Sequence, residues 1–444
     1  MADLDTTTKD LIEKHIDKID RNDFISLFDE IISEQDEETC KRVLSAIKSA
    51  GIGEGETGID KIKKAYYSNH RIKKIKCYNV GFGDCFLCKD ATDNGAKMLV
   101  DFGARKKDKV VINNVTNELS KADVKYLMLS HLHEDHYRGL KYVNVSSNKQ
   151  FQFDEIYIPN YITNYGIEIL GAVLLTSTNN TLINLVKEIL RIPNLLAGFV
   201  SNSTNVQLLV EGNSVCNGLC AFDVLLPLKN KSYFNIKEFL PERIGVEIEE
   251  FSKQYKSLVG YNESEEYNCT ISMHNDSLVN RIEQLIEQVV GLRNDVDLHI
   301  NQSELKKIFK RYHNALSLAF HEKYVREYEN VLFLGDAEPT DIKHLAYNNK
   351  LKHEYCFVKV QHHGTKKHFS DRLPSAKYYA LPNGMSRKDC ELSALYDCKY
   401  GRQKIFVCSN NINCELYKNN CNCNAKSKTA TQCCFYPDYT VNIP

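Results

Sequence analysis

Residues 124–136 read VKYLMLSHLHEDH, an apolar run that ends in three histidines and Asp135 within six positions. The first part is typical of a buried strand, and taking the polar groups at its end out of water is costly unless something binds them. Imidazole nitrogen and carboxylate oxygen suit divalent zinc, manganese or iron. Alternate residues leaving a strand point the same way, so His131 and His133 can chelate one ion. After a turn, Asp135 and His136 can face a neighbouring ion.

Two later apolar runs end in the same kinds of donor. Residues 330–336 (NVLFLGD) finish on Asp336 directly after a glycine, and a carboxylate there can bridge two ions. Residues 356–363 (CFVKVQHH) finish on His362 and His363. Either motif alone is a weak signal, because glycine and aspartate commonly follow strands as turn residues. Together with the histidine cluster they predict a site for two ions.

Strand-like and helix-like runs alternate over most of the chain, which predicts a layered α/β domain. Two helices are expected, at residues 182–191 and 277–296, and the second is strongly amphipathic. Residues 228–313 are interpreted as an insertion into this domain. Strands are expected at residues 72–80, 85–90, 97–103, 124–131, 153–160, 220–227, 315–321, 330–336, 356–363, 376–383, 404–409 and 439–443.

A separate module precedes this domain. Residues 10–50 carry apolar side chains at helical spacing with two breaks, which predicts three short helices. The sequence GIGEGETG at 51–58 predicts a linker, because clustered glycines interrupt regular structure. Residues 1–58 are therefore interpreted as a small helical module with its linker. Two roles stay open for it: docking a protein partner, or packing on the main domain as an extension.

The composition excludes several classes of protein. Of the 444 residues 43% are apolar, and 57 basic side chains stand against 58 acidic ones, for a net charge of -1. This is not a disordered or fibrous chain, and it lacks the basic excess of a nucleic-acid coat protein, although a local basic surface is compatible with it. No apolar run approaches the length of a bilayer span, and the N-terminus does not resemble a signal peptide. We expect a soluble, cytoplasmic protein with no membrane partner.

The cysteines are concentrated near the end of the chain. There are 16 in all, and eight of them lie in residues 390–444. Without an export signal, disulfides are not expected. The segment lacks the paired CxxC knuckles typical of zinc sites. Buried free thiols are the favoured interpretation, and a structural zinc in this segment stays open.

Taken together and in this order, the motifs resemble the metallo-β-lactamase superfamily, whose HxHxDH signature is matched by residues 131–136. The most similar branch is the soluble domain of the DNA-uptake channel protein ComEC, and the resemblance covers residues 70–444, apart from the insertion. The motifs of that branch are matched by Val80-Gly81-Phe82-Gly83-Asp84, Val100-Asp101-Phe102-Gly103, Asn314-Ala315-Leu316-Ser317-Leu318 and His362-His363-Gly364-Thr365, where Thr365 stands in a serine position. The resemblance implies a four-layer αββα sandwich.

The resemblance also implies a ligand set. His131 and His133 would hold the first ion, Asp135 and His136 the second, and Asp336 would bridge them. His362 or His363 would complete the second site. Asp84, Asp101 and Asn314 would support the ligands: Asp101 by orienting a ligand histidine, while Asn314 is also an alternative ligand of the first ion.

One part of the family pattern is not matched. Many members supply a third histidine to the first ion from the region between the HxHxDH and Gly-Asp motifs. His274, His299, His313 and His321 are the candidates here, and no motif singles one out.

A site of this kind predicts hydrolysis. A water that bridges two divalent ions loses a proton near neutral pH and attacks as hydroxide, while the ions stabilise the charge that develops on the substrate. Zinc or manganese is expected, and iron is an alternative. Asp135, which can orient the hydroxide, and the bridging Asp336 are the expected catalytic residues.

Two loops beside the expected site are basic. Arg105, Lys106 and Lys107 follow one strand, and the segment Thr365-Lys366-Lys367-His368 follows the double histidine. Positive loops at a metal site favour an anionic substrate, most simply a phosphodiester, although exposed lysines are common on any surface. The resemblance points the same way, because the ComEC-type domain is regarded as a nuclease.

We therefore expect a phosphodiesterase or nuclease that acts on nucleic acid. By analogy alone, such an enzyme with a docking module suits an effector of a bacterial conflict or antiviral defence system. Two alternatives stay open. One is a hydrolase of a small cyclic nucleotide, thioester or lactone, and the other is a non-catalytic metal-binding scaffold or adaptor.

Overall fold

The apolar runs form two mixed β-sheets in the computed structural model of the chain. The first has the order β16-β1-β2-β3-β4-β5-β6-β10-β9, and the second β15-β14-β13-β12-β11-β8-β7. The strands are β1 (Lys74–Cys77), β2 (Cys85–Lys89), β3 (Lys97–Phe102), β4 (Tyr126–Met128), β5 (Phe153–Pro159), β6 (Val200–Leu209), β7 (Ser214–Cys216), β8 (Ala221–Leu226), β9 (Asn262–Glu263), β10 (Cys269–Ile271), β11 (Ala319–Glu322), β12 (Val331–Phe333), β13 (Glu354–Lys359), β14 (Ser375–Leu381), β15 (Ile405–Cys408) and β16 (Tyr439–Asn442).

The helices lie between these strands in sequence. Short 3-10 turns cover Arg138–Tyr142, Ala197–Phe199, Glu327–Glu329 and Gln361–Gly364. The α-helices are α1 (Lys109–Leu119), α2 (Glu134–Tyr137), α3 (Gly166–Thr176), α4 (Asn180–Leu190), α5 (Ile192–Leu196), α6 (Glu242–Leu258), α7 (Leu278–Gly291), α8 (Gln302–Ala315) and α9 (Pro339–Tyr347).

The structure describes only part of the sequence. The helical module at 1–58 lies outside the described residues, and so do most of the cysteines of 390–444. The described residues are 64, 67, 70–78, 80, 83–91, 95–104, 109–143, 151–162, 166–229, 240–263, 269–271, 278–292, 301–365, 368–382, 405–408 and 439–444.

The two sheets pack face to face, because their inward positions are apolar. Phe86 of β2 meets Phe333 of β12 and Phe357 of β13 edge-on, with ring centroids 5.6 and 6.3 Å apart. Tyr157 of β5 meets Phe222 of β8 in the same way, at 5.7 Å. The core between the sheets is therefore built from interlocked aromatic rings, each contributing its buried area to stability.

Helices cover the outer faces of both sheets. Ile112 of α1 and Val173 of α3 belong to the same apolar cluster as Leu99 of the first sheet. On the other side, Ile342 of α9 packs in one cluster with Val358 of β13. The result is an α/β sandwich with sheets inside and helices outside. None of the helices in the described part of the chain is long and apolar enough to cross a lipid bilayer.

The strands expected from residue 72 onward and the helices expected at 182–191 and 277–296 are confirmed, since each overlaps an observed element. The three helices expected at 10–50 lie outside the described residues. Strand β6 was missed because its sequence, VSNSTNVQLL, is polar over its first half. The segment interpreted as an insertion is closely integrated in the fold. Its strand β10 pairs with β6, and Phe251 of α6 and Ile282 of α7 belong to the main core.

The direction of the strands fixes where the site forms. Strand β3 runs parallel to β4 in one sheet, and β12 runs parallel to β13 in the other. The carboxyl ends of parallel neighbours meet at one edge of a sheet. Beyond these ends the sheets are joined, because the Leu318 N–H donates to the Ser130 carbonyl at 2.7 Å. The donor-bearing strand ends therefore come together.

Candidate metal centre

Three histidines form the first half of the centre. His131 and His133 follow β4, and His313 comes from the last turn of α8. The ring centroids lie 4.4 Å apart for His131 and His133, 3.9 Å for His133 and His313, and 4.8 Å for His131 and His313. One nitrogen from each ring lies within 4.8 Å of the other two, a spacing that fits a single ion. We call these residues the three-histidine cluster.

One serine hydroxyl and one backbone N–H hold His131 of this cluster in place. The Ser317 hydroxyl lies 3.3 Å from His131 Nδ1, and it accepts a hydrogen bond from the Asp336 N–H at 3.1 Å. This leaves His131 Nε2 directed at His133 Nδ1, 2.8 Å away. One side chain therefore links the first histidine to the turn that carries the aspartate of the second sheet.

The three imidazoles are kept neutral. Burial, reinforced by the neighbouring histidines, lowers the pKa of His133 to about 4 and holds those of His131 and His313 well below the usual value. Nε2 of His313 is buried, and among the described residues it has no hydrogen-bond partner. Neutral imidazole is the form that binds a metal, so the cluster offers lone pairs ready for an ion.

The second half combines carboxylates with histidines. His136 Nε2 lies 3.3 Å from Asp336 Oδ1 and 4.0 Å from Asp135 Oδ1. His363 Nε2 lies 3.2 Å from Asp135 Oδ2 and 3.9 Å from Asp336 Oδ1. The Nε2 atoms of both rings thus face the same two carboxylates. We call Asp135, His136, Asp336 and His363 the carboxylate cluster.

Two further aspartates contact the opposite sides of these rings. Asp101 Oδ2 lies 2.9 Å from His136 Nδ1, and Asp84 Oδ1 lies 2.8 Å from His363 Nδ1. Asp84 is close enough to be grouped with the cluster donors, but its contact with Nδ1 gives it a different role. A carboxylate on Nδ1 fixes the tautomer and leaves the Nε2 lone pair for the ion.

The side chains of the carboxylate cluster shift one another's pKa values strongly. Burial alone would lower the pKa of His363, but the carboxylates of Asp84 and Asp336 outweigh it and raise that pKa to about 9. His136 is raised well above its usual pKa against the same opposing burial, chiefly by Asp336 and Asp101. Burial opposes the ionisation of Asp336, yet the histidines keep its pKa well below the usual value. Without an ion, the two carboxylates are therefore ionised and balanced by the two protonated rings, and a bound cation would take the place of the Nε2 protons.

The backbone around the cluster is unusual. Asp101, His362 and His363 have φ of 58°, 48° and 56°, in the left-handed region that residues with a Cβ rarely adopt. At Gly103 an added Cβ would lie 1.5 Å from the Asp135 carbonyl oxygen, so only glycine fits there. Such strain concentrates at functional sites, where the surrounding structure holds it.

The remaining predicted residues fall in several places. His362 lies outside both clusters: its Nδ1 is 3.3 Å from Asp336 Oδ2, and its ring stacks on His368 with centroids 3.6 Å apart. The Asn314 side-chain amide donates to Glu338, 2.5 Å away, rather than facing an ion. Thr365 is buried and bonds His368 Nδ1 at 2.7 Å.

Some candidates lie away from the site or outside the described residues. His321 is buried on β11, where its Nδ1 bonds the Tyr355 hydroxyl at 2.9 Å. The basic loop residues and two of the four candidates for the third histidine are not described, namely Arg105, Lys106, Lys107, Lys366, Lys367, His274 and His299.

Two residues were missed by the reasoning from sequence. Lys359 is buried beneath the carboxylate cluster, 2.5 Å from Asp84. A lysine inside the apolar run of β13 was the available signal. Glu338 contacts Asn314 beside the site, and no sequence signal distinguished it.

The two clusters are adjacent and their donors fit divalent ions. The His131 and His136 rings lie 5.4 Å apart. Buried His136 Nε2 and Asp336 Oδ1 lack hydrogen-bond partners within the described part of the chain, which is the situation an ion would resolve. Three neutral imidazoles on one side and imidazole with carboxylate on the other are donor sets of zinc, manganese and iron. Residues from both sheets therefore build a candidate centre for two ions.

Comparison with known proteins gives little further identification. No family profile matches the chain, and no curated protein matches it. Among solved structures, a mutant of the CmlA beta-hydroxylase matches over 81% of this chain at 11% sequence identity, with a TM-score of 0.28. The match takes in 54% of that protein, so the chain spans about half of its length.

Proposed function

We propose that the chain is a metal-dependent hydrolase with a centre for two divalent ions, built on a metallo-β-lactamase-type αββα sandwich of the ComEC kind. The observation that carries the proposal is the adjacency of two complementary donor clusters at the edge where both sheets end. Burying so many ionisable groups together is costly, and groups with strongly shifted pKa values cluster at functional sites.

The geometry suggests a division of the ligands. The three-histidine cluster would hold the first ion, and Asp135, His136 and His363 the second. Asp336 Oδ1 lies 3.3 Å from His136 Nε2 and 3.9 Å from His363 Nε2, and the Asp336 N–H donates to the Ser317 hydroxyl beside His131, so we assign Asp336 as the ligand shared by the two ions. Bound together, two such ions supply a nucleophile at neutral pH and stabilise the negative charge that develops on the substrate.

The chain's own side chains define the open side of the centre. Asp135 is 21% exposed, whereas Asp336 and His136 are almost fully buried. Substrate would therefore approach past Asp135, whose carboxylate can accept a hydrogen bond from the attacking water and orient it. His362, whose Nδ1 lies 3.3 Å from Asp336, is partly exposed and can contact the substrate.

For the substrate we propose a phosphodiester, with nucleic acid as the leading class. The support is the position in sequence of the two basic segments. The loop with Arg105, Lys106 and Lys107 begins next to Gly103, which packs on Asp135. In sequence, Lys366 and Lys367 lie between Thr365 and His368. These two residues are hydrogen-bonded to each other, and His368 stacks on His362. Basic residues that neighbour the residues of a metal site in sequence favour a polyanionic substrate.

Metal analysis tests the proposal directly. Plasma mass spectrometry should find about two ions per wild-type chain after reconstitution with zinc or manganese, and fewer in Asp336→Asn. His321→Gln, which changes a buried histidine away from the centre, should keep both ions. Wild-type protein should also hydrolyse bis(p-nitrophenyl) phosphate and single-stranded DNA or RNA. A wild type that binds no metal would overturn the proposed function, and two ions without hydrolysis of any phosphodiester would overturn the substrate class.

A further inference from the structure

Lys359 ends β13 and points beneath the carboxylate cluster. Its side chain is 2% exposed, which is rare for lysine unless the amine is paired. The amine lies 2.5 Å from Asp84 Oδ2, donates to the Gly335 carbonyl at 2.7 Å, and lies 3.8 Å from Asp336 Oδ1. It therefore connects residues from three chain segments that build the centre.

Asp84 divides its two oxygens between different partners. Oδ1 contacts His363 Nδ1 at 2.8 Å, while Oδ2 faces the Lys359 amine. Oδ2 also lies 3.6 Å from His136 Nδ1. With Lys359 on one oxygen, the carboxylate cannot rotate away without losing an ion pair, so the His363 ring keeps its Nε2 directed at Asp135.

The contact with Gly335 holds a second part of the centre. Gly335 has a φ of 47°, and its turn places Asp336. Its carbonyl also accepts from the His362 N–H at 3.0 Å. One amine thus joins the aspartate turn of β12 to the histidine turn of β13.

The charge of Lys359 suits this position. Burial would lower the pKa of its amine, but Asp84 and Asp336 outweigh burial and raise it above the usual value. A permanent cation below the cluster offsets part of the negative charge of four aspartates.

We propose that Lys359 is a positioning residue, which holds Asp84 and acts through it to set His363 for the second ion. This inference rests on the proposed function. It assigns Lys359 no contact with substrate.

The test is a zinc titration against a chromophoric chelator on the full chain, which separates the first and second dissociation constants. In Lys359→Met the second ion should bind about 10–100-fold more weakly, the range found when partners of metal ligands are removed. The first ion should be unaffected. Lys352→Met is the matched control, since Lys352 donates to the Glu322 and Val325 carbonyls away from the centre. It should keep both affinities.

A double-mutant cycle with Asp84→Asn tests the route of the effect. If Lys359 acts through Asp84, the double variant should bind the second ion no more weakly than Asp84→Asn alone. The double variant also removes both members of the ion pair, so it decides the question even if Lys359→Met fails to fold.

Three outcomes would count against the inference, and they are distinguishable. A folded Lys359→Met with an unchanged second dissociation constant overturns it. A full additional loss on top of Asp84→Asn shows that Lys359 does not act through Asp84, and overturns it too. A wild type without a second ion overturns the proposed function together with the inference.

Discussion

The two clusters of the centre differ in the charge of their side chains and in what holds those side chains together. The three-histidine cluster is neutral, because burial and the neighbouring imidazoles keep the pKa values of its rings low. The carboxylate cluster is ionised, and its histidines and aspartates hold one another in charged form. The first cluster therefore has no ion pair among its members, only the hydrogen bond between His131 and His133, whereas the second is held by ion pairs and by Lys359. The geometry of the three-histidine cluster therefore depends on the surrounding fold, whereas that of the carboxylate cluster depends on its own ion pairs.

The largest effect should come from removing the residue that links α8 to the centre. His313→Ala leaves two rings for the first ion, so we expect metal content to fall from about two ions to about one, with loss of hydrolysis. Plasma mass spectrometry and a phosphodiesterase assay measure this. The exposed His344→Ala is the control. Two retained ions in His313→Ala would exclude His313 as a ligand.

The next comparison separates the two neighbouring histidines of the second sheet. His363→Asn should lose the second ion, because His363 Nε2 faces Asp135 and Asp336. His362→Asn should keep both ions, since His362 lies outside both clusters. Asparagine tolerates the positive φ at either position, so the backbone is a matched control. Metal content decides between them, and the reverse pattern would reassign the ligand.

A weaker effect is expected at the aspartate behind His136. Asp101→Asn keeps the shape and tolerates the φ of 58°, but it removes the charge on His136 Nδ1. We expect the second zinc to bind about 10–100-fold more weakly while the first keeps its affinity. Chelator competition measures both constants. Equal weakening of both ions would mean that the clusters do not act independently.

A buried carboxyl far from the centre shows what burial does without enough cationic partners. Burial raises the pKa of Glu322 to about 8, although the Ile72 N–H and Arg71 act in the opposite direction. The unfolded value is about 4.3, so between these pH values the folded state binds more protons than the unfolded state. Its contribution to stability should then fall as pH rises, by up to about 1.4 kcal/mol per pH unit.

Urea unfolding at several values between pH 5 and pH 8 tests this slope. Glu322→Gln cannot lose a proton, so its stability should fall less with rising pH than that of the wild type. Parallel curves for the two proteins would show that Glu322 is ionised throughout, as the aspartates of the centre are.

Much of the centre was predictable from local sequence. The segment VKYLMLSHLHEDH combines a buried strand with donors at its end, and the rule that parallel strands end at one edge brings Asp336 and His363 together in the second sheet. The choice between His362 and His363 was not predictable, because it depends on left-handed backbone at both residues.

His313 illustrates what the sequence could have shown. It follows Phe309 by four residues on the apolar face of α8, where a polar side chain needs a partner. The long sequence separation from His131 hid that partner, since packing of the helix against the sheet brings them together. Lys359 gave a similar signal, because it is a charged residue within a buried strand. Its role could not be predicted, since its partner Asp84 is distant in sequence.

The close contact between Gly103 and the Asp135 carbonyl has a consequence for engineering. Because the Asp135 carbonyl occupies the space a Cβ would need, the main chain of the centre is fixed by a contact that tolerates no side chain. Variant libraries that seek new substrates can therefore change His362 and should leave Gly103 unchanged. Substrate preference can then change at His362 while the residues of the two clusters stay the same.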